Sequence, residues 1–374
     1  MNKSNFILII SILFLLCFCT SDKLTLSGLK ISDFHTKTKN GVTDMYVLKN
    51  KQNMEVCITN YGGRVVSIMV PDRNGKFEDV VYGFSTIDDY LNTRQNFGAI
   101  VGRYIGRIAK ATFTLDSVTY HLEANSGEDS MHGGTSSFAY KIWEAEQPDE
   151  STLNLSYLSI GGENGFPGNL TVKVTYHVTD NNELDINYEA ETDQPTIVNL
   201  ANHSFFNISG DLNSSVESQL LYINADSYTP IDSMKRATGE IFPIAGTIFD
   251  FTTQRLMGER INEDSLKATG GYDHNWVLSS NGDVEKLAAR VTDKQSGRTL
   301  EVYTTEPGIQ IYTGNQLNKA IVGKNSIAYS KRSAICLETQ HFPDSPNKIN
   351  FSSPVLRPGE TYHSRCIYRF GIEE

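Results

Sequence analysis

The sequence predicts a large all-β domain built from antiparallel strands. Residues 170–179 alternate strictly between apolar and polar side chains, and residues 183–190 do the same. Such period-two alternation is typical of strands with one buried and one exposed face. Helical patterns are few and short along the whole chain. Because many strands in one domain must protect their edges, we predict that they close into a sandwich or a barrel.

The N-terminal segment has the pattern of an export signal. An apolar run from Phe6 to Phe18 follows Lys3 and ends before a polar stretch. With about 13 residues, this run is shorter than a membrane span and has the length of the apolar region of a signal peptide. We therefore assign residues 1–19 to a signal peptide. The alternative is a hydrophobic strand or helix of the mature domain.

The end of this run resembles the cleavage site of bacterial lipoproteins, in which a cysteine is acylated and becomes the new N-terminus. Cys19 is the matching cysteine, because Leu16 precedes it by three residues and a polar stretch follows it. Phe18 departs from the small residue that such sites have before the cysteine. We expect an exported protein, periplasmic or anchored to a membrane through a lipid on Cys19, with ordinary secretion as the alternative.

After the leader we predict a linker at residues 20–30 and a single β domain at residues 31–374. The two alternating runs are joined by residues 180–182, Asp-Asn-Asn, whose turn composition predicts a hairpin. Further strands are predicted at 55–59, 111–115, 153–159, 298–304 and 362–370, and short helices at 85–91 and 262–267.

The charge balance and the motif content exclude several classes of function. Lys and Arg total 33 against 44 Asp and Glu, which gives a formal net charge of −11. A nucleic-acid-binding protein needs a basic face for the phosphates, and none is evident. The sequence also lacks the GxGxxG, GxxxxGK[ST], HExxH and GxSxG motifs. Beyond the leader, Cys57, Cys336 and Cys366 match no zinc-binding spacing, and we expect them to be buried free thiols.

Five loops concentrate glycine, histidine, amide, carboxylate and aromatic side chains, at residues 102–107, 131–134, 199–207, 271–276 and 336–344. Loops between strands are where sites on a β scaffold tend to lie. Planar polar side chains suit sugar hydroxyls and aromatic rings suit apolar sugar faces, so this mixture predicts a neutral sugar as ligand. The alternative is a metal site, for which no short ligand spacing exists; its ligands would be His132, His203, Asp273 and His274.

Six longer segments extend these loops: GRYIGRIAKATF (102–113), MHGG (131–134), NLANHSFFNI (199–208), YDHNWVL (272–278), PGIQIYTGN (307–315) and CLETQHFPDSPN (336–347). In this order they resemble the motifs of the aldose 1-epimerase (galactose mutarotase) family. The resemblance covers most of the chain after the leader. It implies a large antiparallel β-sandwich with an open cleft. It also implies a cofactor-free, metal-free isomerase that interconverts the α and β anomers of aldohexoses such as galactose and glucose.

The resemblance also implies roles for individual residues. Glu338 would be the base that takes the proton from the C1 hydroxyl, and His203 the acid that protonates the ring oxygen. The residues expected around the sugar are Arg107, His132, Asp273 and Gln310. Ordinary pKa values of about 4.3 for Glu and 6.5 for His leave only a short pH interval in which Glu338 is ionised and His203 is protonated. We therefore expect neighbouring groups to widen this interval.

Two positions depart from the family pattern. Gly106 stands before Arg107 where many relatives have Asn, and Phe205 stands two residues after His203 where many have Tyr. Each change removes a polar group near the sugar, whereas neither affects the acid–base pair. We therefore expect the departures to alter substrate preference, because a site without a polar partner no longer discriminates at that hydroxyl.

Other functions stay open on the sequence. A non-catalytic sugar-binding lipoprotein could use the same scaffold, although both Glu338 and His203 are present. Glycoside hydrolysis needs two carboxylates about 5–10 Å apart, for which Asp273 and Glu338 are candidates. A sugar-phosphate epimerase would need more basic residues than Arg103 and Arg107. The expected partner is a small aldose and not a nucleic acid, and the protein could be a monomer or a dimer.

Overall fold

A computed structural model describes residues 23–373, so the predicted signal peptide and Cys19 lie outside the described residues. Strands dominate the described part, as predicted. It contains the α-helix α1 (Ile87–Leu91) and short 3-10 helices at Ile31–Phe34, Ala109–Ala111, Phe138–Tyr140, Glu163–Gly165, Val216–Ser218, Met257–Glu259, Asp264–Leu266, Lys324–Ser326 and Ser345–Asn347. Within residues 23–373, no helix has the length and apolar character needed to cross a membrane.

The strands in chain order are β1 (Thr36–Thr38), β2 (Gly41–Thr43), β3 (Met45–Lys49), β4 (Glu55–Thr59), β5 (Arg64–Pro71), β6 (Phe77–Asp79), β7 (Ala99–Val101), β8 (Arg107–Ile108), β9 (Thr112–Leu115), β10 (Val118–His121), β11 (Ser130–Met131), β12 (Glu144–Glu146), β13 (Thr152–Ser159), β14 (Leu170–Val178), β15 (Glu183–Thr192), β16 (Thr196–Ile197), β17 (Ala201–His203), β18 (Leu220–Ile223), β19 (Ala225–Thr229), β20 (Phe242–Pro243), β21 (Arg255–Leu256), β22 (Asp273–Leu278), β23 (Ala289–Thr292), β24 (Arg298–Thr304), β25 (Gly308–Tyr312), β26 (Cys336–Gln340), β27 (Val355–Leu356) and β28 (Thr361–Ile372).

Three sheets build the sandwich. The largest has nine strands in the order β12-β13-β14-β15-β28-β24-β23-β18-β21. It faces a five-stranded sheet, β20-β19-β22-β25-β26, and a four-stranded sheet, β3-β4-β5-β6. One continuous core joins all three, with Val174 from the large sheet, Ile309 from the five-stranded sheet and Ile58 from the four-stranded sheet all fully buried in it. The Tyr368 hydroxyl also links two sheets by donating to the Leu337 carbonyl at 2.8 Å.

The strongest sequence patterns fold as predicted. β14 and β15 form the expected hairpin, with Val178 opposite Leu184, and Asn182 in the turn has a φ of +58°. The strand predicted at 298–304 has those limits. The strand predicted at 111–115 starts one residue later, because Ala111 belongs to a 3-10 turn with a positive φ of 48°. The helix predicted at 85–91 starts at Ile87, since the Thr86 side chain caps it by accepting from the Asp89 N–H.

The segment predicted as a linker contacts the sandwich over its described residues, 23–30. Leu29 is buried, and Leu24 forms an antiparallel bridge with Lys30. The Leu26 N–H donates to the buried Glu55 carboxylate at 2.6 Å. These contacts fix the start of the described chain on the four-stranded sheet. The three cysteines of the domain are buried and free, as predicted.

Candidate active site

The floor of the main cleft is the outer face of the five-stranded sheet. On β22, β25 and β26, Trp276, Ile309 and Leu337 point into the core. The residues that alternate with them line the cleft: Asn275, Gln310 and Glu338. Register places Asn275 opposite Gln310 and Gln310 opposite Glu338. Period-two alternation in three neighbouring strands therefore brings polar side chains from separate motifs into one row.

The cleft has a volume of about 590 Å³. Its walls come from the loops around β8, β11 and β17. All six residues that the sequence predicts for the site line this cleft: Arg107, His132, His203, Asp273, Gln310 and Glu338. Arg103, which a sugar-phosphate site would have needed, lies elsewhere. It is buried, and its guanidinium donates to Ser159 and to the Pro167 carbonyl.

His203 and Glu338 form a close buried pair. His203 Nε2 lies 3.4 Å from Glu338 Oε1, and the two residues are only 5% and 3% exposed. β17 carries His203 to this position by pairing with β7. The His203 ring contacts the ring of Phe205, stacked at 5.0 Å, and the ring of His132, edge-on at 5.2 Å. Two rings thus hold His203, and the pair is removed from bulk water.

Burial sets the protonation of this pair. Burial, with a smaller effect of His132, lowers the pKa of His203 well below its ordinary range. Burial, with a smaller effect of the Asp273 carboxylate, raises the pKa of Glu338 well above its ordinary range. The expectation that neighbours widen the interval between the two pKa values is therefore wrong. Removal from water disfavours both charged forms, so the shifts favour a pair in which both groups are neutral.

One wall of the cleft is organised around His132. Its φ of +53° lets the loop turn back, so that its N–H donates to the Gly106 carbonyl at 2.9 Å. The Gly106 N–H in turn lies 3.3 Å from His132 Nδ1. Burial, and secondarily Arg107, lowers the pKa of His132 to about 4. The imidazole is therefore neutral near pH 7, and since Nδ1 accepts the Gly106 N–H, its proton belongs on Nε2.

Arg107 is held in place by a buried carboxylate. Arg107 Nη1 lies 2.8 Å from Asp129 Oδ2, and Arg236 Nη2 lies 2.6 Å from the other oxygen, Oδ1. The Lys110 N–H also donates to Oδ1 at 2.8 Å. With its carboxylate fully engaged, Asp129 fixes the guanidinium at the cleft wall, where the remaining N–H groups of Arg107 are available as donors.

Asp273 and Gln310 form a second polar unit on the floor. Gln310 Nε2 donates to Asp273 Oδ1 at 2.9 Å, across the β22–β25 pair. Burial raises the pKa of Asp273, although the hydrogen bond from Gln310 and the charge of Lys235 oppose this rise. Asp273 thus has one oxygen committed to Gln310 and can accept a hydroxyl proton with its other lone pairs.

Comparison with known proteins identifies the family. A profile of the family described as Aldose 1-epimerase matches residues 44–369. The chain belongs to the aldose 1-epimerase family. It is 40% identical over 334 residues to a mouse protein named galactose mutarotase, covering 89% of this chain and 95% of that one. It is 33% identical over 332 residues to the aldose 1-epimerase of Escherichia coli K12, covering 88% and 95% of the two chains.

Solved structures of aldose epimerases have the same fold. An epimerase homologue from C. elegans superposes with a TM-score of 0.81 at 28% identity, covering 89% of this chain and all of that chain. Galactose 1-epimerase from Lactobacillus acidophilus gives a TM-score of 0.81 at 26% identity, covering 91% and 98%. The β-sandwich predicted for this aldose 1-epimerase family member is therefore confirmed, as is its class, an isomerase.

The structure adds cleft residues of this epimerase that the sequence argument missed. Asn275 and Gln340 line the cleft, and Asp129 lies behind it as the partner of Arg107. A signal for two of them was present: Asn275 is two residues after Asp273 and Gln340 two after Glu338. In a strand, residues two apart share a face. No local pattern marks Asp129, because its role depends on an arginine from another loop.

One group of metal-type donors lies close together within residues 23–373. The donor atoms of His203, Cys336 and Glu338 lie within 4.8 Å of one another, and all three residues are buried. An imidazole, a thiolate and a carboxylate are the ligand types that zinc prefers, but burial raises the pKa of the Cys336 thiol well above its ordinary range and so disfavours the thiolate. His132, Asp273 and His274, which the sequence offered as further ligands, are not in this group.

Proposed function

We propose that the protein is an aldose 1-epimerase that interconverts the α and β anomers of aldohexoses such as galactose and glucose. The observation that carries this proposal is the buried contact between His203 Nε2 and Glu338 Oε1 at 3.4 Å, on the floor of the cleft. Relatives that cover most of the chain at 40% and 33% identity are named galactose mutarotase and aldose 1-epimerase. They favour this function over glycoside hydrolysis or sugar binding alone.

The pair supplies both proton transfers that ring opening needs. The Glu338 carboxylate takes the proton of the C1 hydroxyl, the bond between C1 and the ring oxygen breaks, and the His203 imidazolium protonates the ring oxygen. The result is an open-chain aldehyde facing two neutral groups, and the number of protons is conserved. Rotation about the C1–C2 bond presents the other face of the carbonyl. Closure then reverses both transfers and gives the other anomer.

Burial of the pair shifts the balance of this step toward its open-chain end. At the start of the reaction Glu338 and His203 must be oppositely charged, and their mutual attraction at 3.4 Å favours that state. Once the ring has opened, both groups are neutral. Because burial disfavours the charged forms, as the pKa shifts of both groups indicate, it stabilises the open-chain state relative to the starting state.

The surrounding groups would hold the sugar while its C1 changes configuration. Arg107 and the Nε2–H of His132 are donors for hydroxyl or ring oxygens. Asp273 is an acceptor for a ring hydroxyl, and Gln310 orients both Asp273 and the substrate. Burial keeps His132 neutral. His132 can therefore donate a hydrogen bond without repelling the His203 imidazolium.

Polarimetry tests the proposed function. Freshly dissolved α-D-galactose and α-D-glucose should reach their equilibrium rotation faster with the leaderless protein than without it. Glu338→Gln and His203→Ala should each reduce the rate by roughly 10²–10⁴-fold, since each removes one proton transfer. Absence of acceleration, with calorimetry still detecting sugar binding, would instead indicate a non-catalytic sugar-binding protein. Phenol release from an aryl galactoside would indicate a hydrolase.

We further propose that the protein is exported and tethered to a membrane through a lipid on Cys19. The support is the apolar run at residues 6–18, followed directly by this cysteine. An exported epimerase would equilibrate anomers outside the cytoplasm. Mass spectrometry of the mature N-terminus tests the tether: a diacylglyceryl mass on Cys19 supports it, and an unmodified cleaved N-terminus indicates secretion.

A further inference from the structure

Gln340 is a buried amide for which the protein provides no partner. Its residue is 0% exposed, and neither Nε2 nor Oε1 has a hydrogen-bond partner within residues 23–373. A buried amide without hydrogen bonds costs about 1–3 kcal/mol, and native proteins contain few of them. This cost suggests that the amide is kept for a partner outside the protein.

The position of Gln340 identifies where that partner lies. Gln340 is the last residue of β26, two residues after Glu338, so both side chains are on the cleft face of the strand. Other cleft residues also have buried unpartnered acceptors, namely Asn275 Oδ1 and Gln310 Oε1. Three buried amides with unsatisfied groups thus lie on the floor of the same cleft as the proposed acid–base pair.

Gly106 lies beside the Gln340 amide and brings no side chain to it. Its φ is +83°, and a Cβ built there would lie 3.7 Å from Gln340 Nε2, with the next nearest atoms, from Pro343, at 3.9 Å. A side chain at position 106 would therefore touch the amide in ordinary van der Waals contact, and the glycine leaves that side of the amide without one. Gly106 also adjoins His132, since its N–H faces His132 Nδ1.

We propose that Gln340 is a substrate-binding and specificity-determining residue whose amide binds a ring hydroxyl or the hydroxymethyl group of the aldose, beside Gly106 in the cleft. This inference rests on the proposed mutarotase function. The chemistry is complementary, because a hydroxyl both donates and accepts, and the Gln340 amide offers donors on Nε2 and acceptor lone pairs on Oε1. The anomeric hydroxyl and the ring oxygen are served by the pair, so Gln340 binds a hydroxyl that does not react.

The variant Gln340→Met distinguishes a role of the amide in substrate binding from a role in stabilising the fold. Met has a similar length and no hydrogen-bonding amide. Because Gln340 has no protein partner to lose, the variant should keep or raise the melting temperature, while the KM for galactose rises about 10-fold and kcat changes less. A lower melting temperature with unchanged KM would overturn the proposal, since it would show that the amide has a structural role.

Gln219→Met is the matched control. Gln219 is also 0% exposed with an unpartnered Oε1, but its Nε2 donates to Asn207 Oδ1 at 2.7 Å and it does not line the cleft. This variant should lower the melting temperature and leave KM unchanged. A KM increase like that of Gln340→Met would mean that the loss of any buried amide disturbs the cleft, which would also overturn the proposal.

Deoxy sugars identify the hydroxyl. Wild type and Gln340→Met are compared on galactose and its 2-, 3-, 4- and 6-deoxy analogues. With the wild-type protein, we expect kcat/KM for one analogue to be about 10-fold lower than for galactose. For that analogue, Gln340→Met should lower kcat/KM no further. Equal losses from the substitution on every sugar would overturn the assignment. Calorimetric binding of the same sugars is measured in parallel, so a protein that binds without mutarotation refutes the proposed function and still tests Gln340.

Discussion

The ring of Phe205 lies flat against the imidazole of His203, with centroids 5.0 Å apart and planes inclined by 19°. Phe97 and Tyr312 contact the edges of Phe205 at 4.8 and 6.0 Å, so the ring itself is held in place. This stack sets the orientation in which His203 Nε2 faces Glu338. Phe205, which departs from the family pattern, therefore positions His203, the proposed acid.

Phe205→Leu should lower kcat roughly 10-fold with little change in KM. The smaller side chain leaves the His203 ring free to rotate away from the reacting geometry, and catalysis is sensitive to such small displacements. Steady-state polarimetry with galactose measures both constants. Phe205→Tyr, which keeps the ring, should retain most of kcat. An increase confined to KM in Phe205→Leu would show that the ring contacts the sugar and does not orient His203.

Glu338→Gln should make the protein more stable above about pH 5 while removing its activity. Burial raises the pKa of Glu338 in the folded state, so its contribution to stability is full below the unfolded pKa of about 4.3 and is lost as the pH rises. The uncharged variant avoids this loss. Calorimetry at pH 7.5 should give a melting temperature a few degrees above wild type, with the difference disappearing near pH 4.

A second buried glutamate provides the control for this prediction. Glu306 Oε2 lies 2.7 Å from His341 Nδ1, and this partner raises the pKa of His341 despite its burial. Glu306→Gln should lower the melting temperature at pH 6, because it leaves His341 without its ion pair. A stability change of the same sign in both variants would contradict the argument.

His132 should not shape the pH dependence of the reaction. Burial lowers its pKa to about 4, so it stays neutral at every pH above about 5. His132→Gln should therefore raise KM by roughly 10-fold through the loss of a hydrogen bond, with the limbs of the kcat profile between pH 5.5 and 8 unmoved. Profiles of wild type and variant measured in the same buffers check this. A shift of the acidic limb by half a pH unit or more would refute it.

Arg107→Lys should raise KM about 10-fold. Lysine can keep the charge opposite Asp129, but it lacks the planar guanidinium that bonds the carboxylate and that would bond a sugar oxygen in the proposed complex. Arg103→Lys is the contrasting variant, because Arg103 donates to Ser159 and Pro167 away from the cleft. It should lower the melting temperature without changing KM. Initial rates over a range of galactose concentrations, together with thermal unfolding, distinguish the two effects.

The sequence predicts local features well where the pattern repeats over several residues. The β14–β15 hairpin follows from strict alternation on both sides of an Asn-rich turn, since alternation reports which face each residue presents. The predicted ends of strands and helices are wrong where a single residue decides them. The positive φ of Ala111 delays the start of β9, and the side chain of Thr86 sets the start of α1. Neither effect leaves a repeating pattern.

The sequence by itself predicted the all-β class and the motif loops, and through its family resemblance it offered His203 and Glu338 as the candidate acid–base pair, because these are properties of short segments. Only the tertiary structure decided how they combine. Strand register aligned Asn275, Gln310 and Glu338 across three strands, and a separate short strand brought His203 to Glu338. Tertiary burial also reversed the expected pKa shifts, since the cost of charge depends on solvent exclusion by distant parts of the chain.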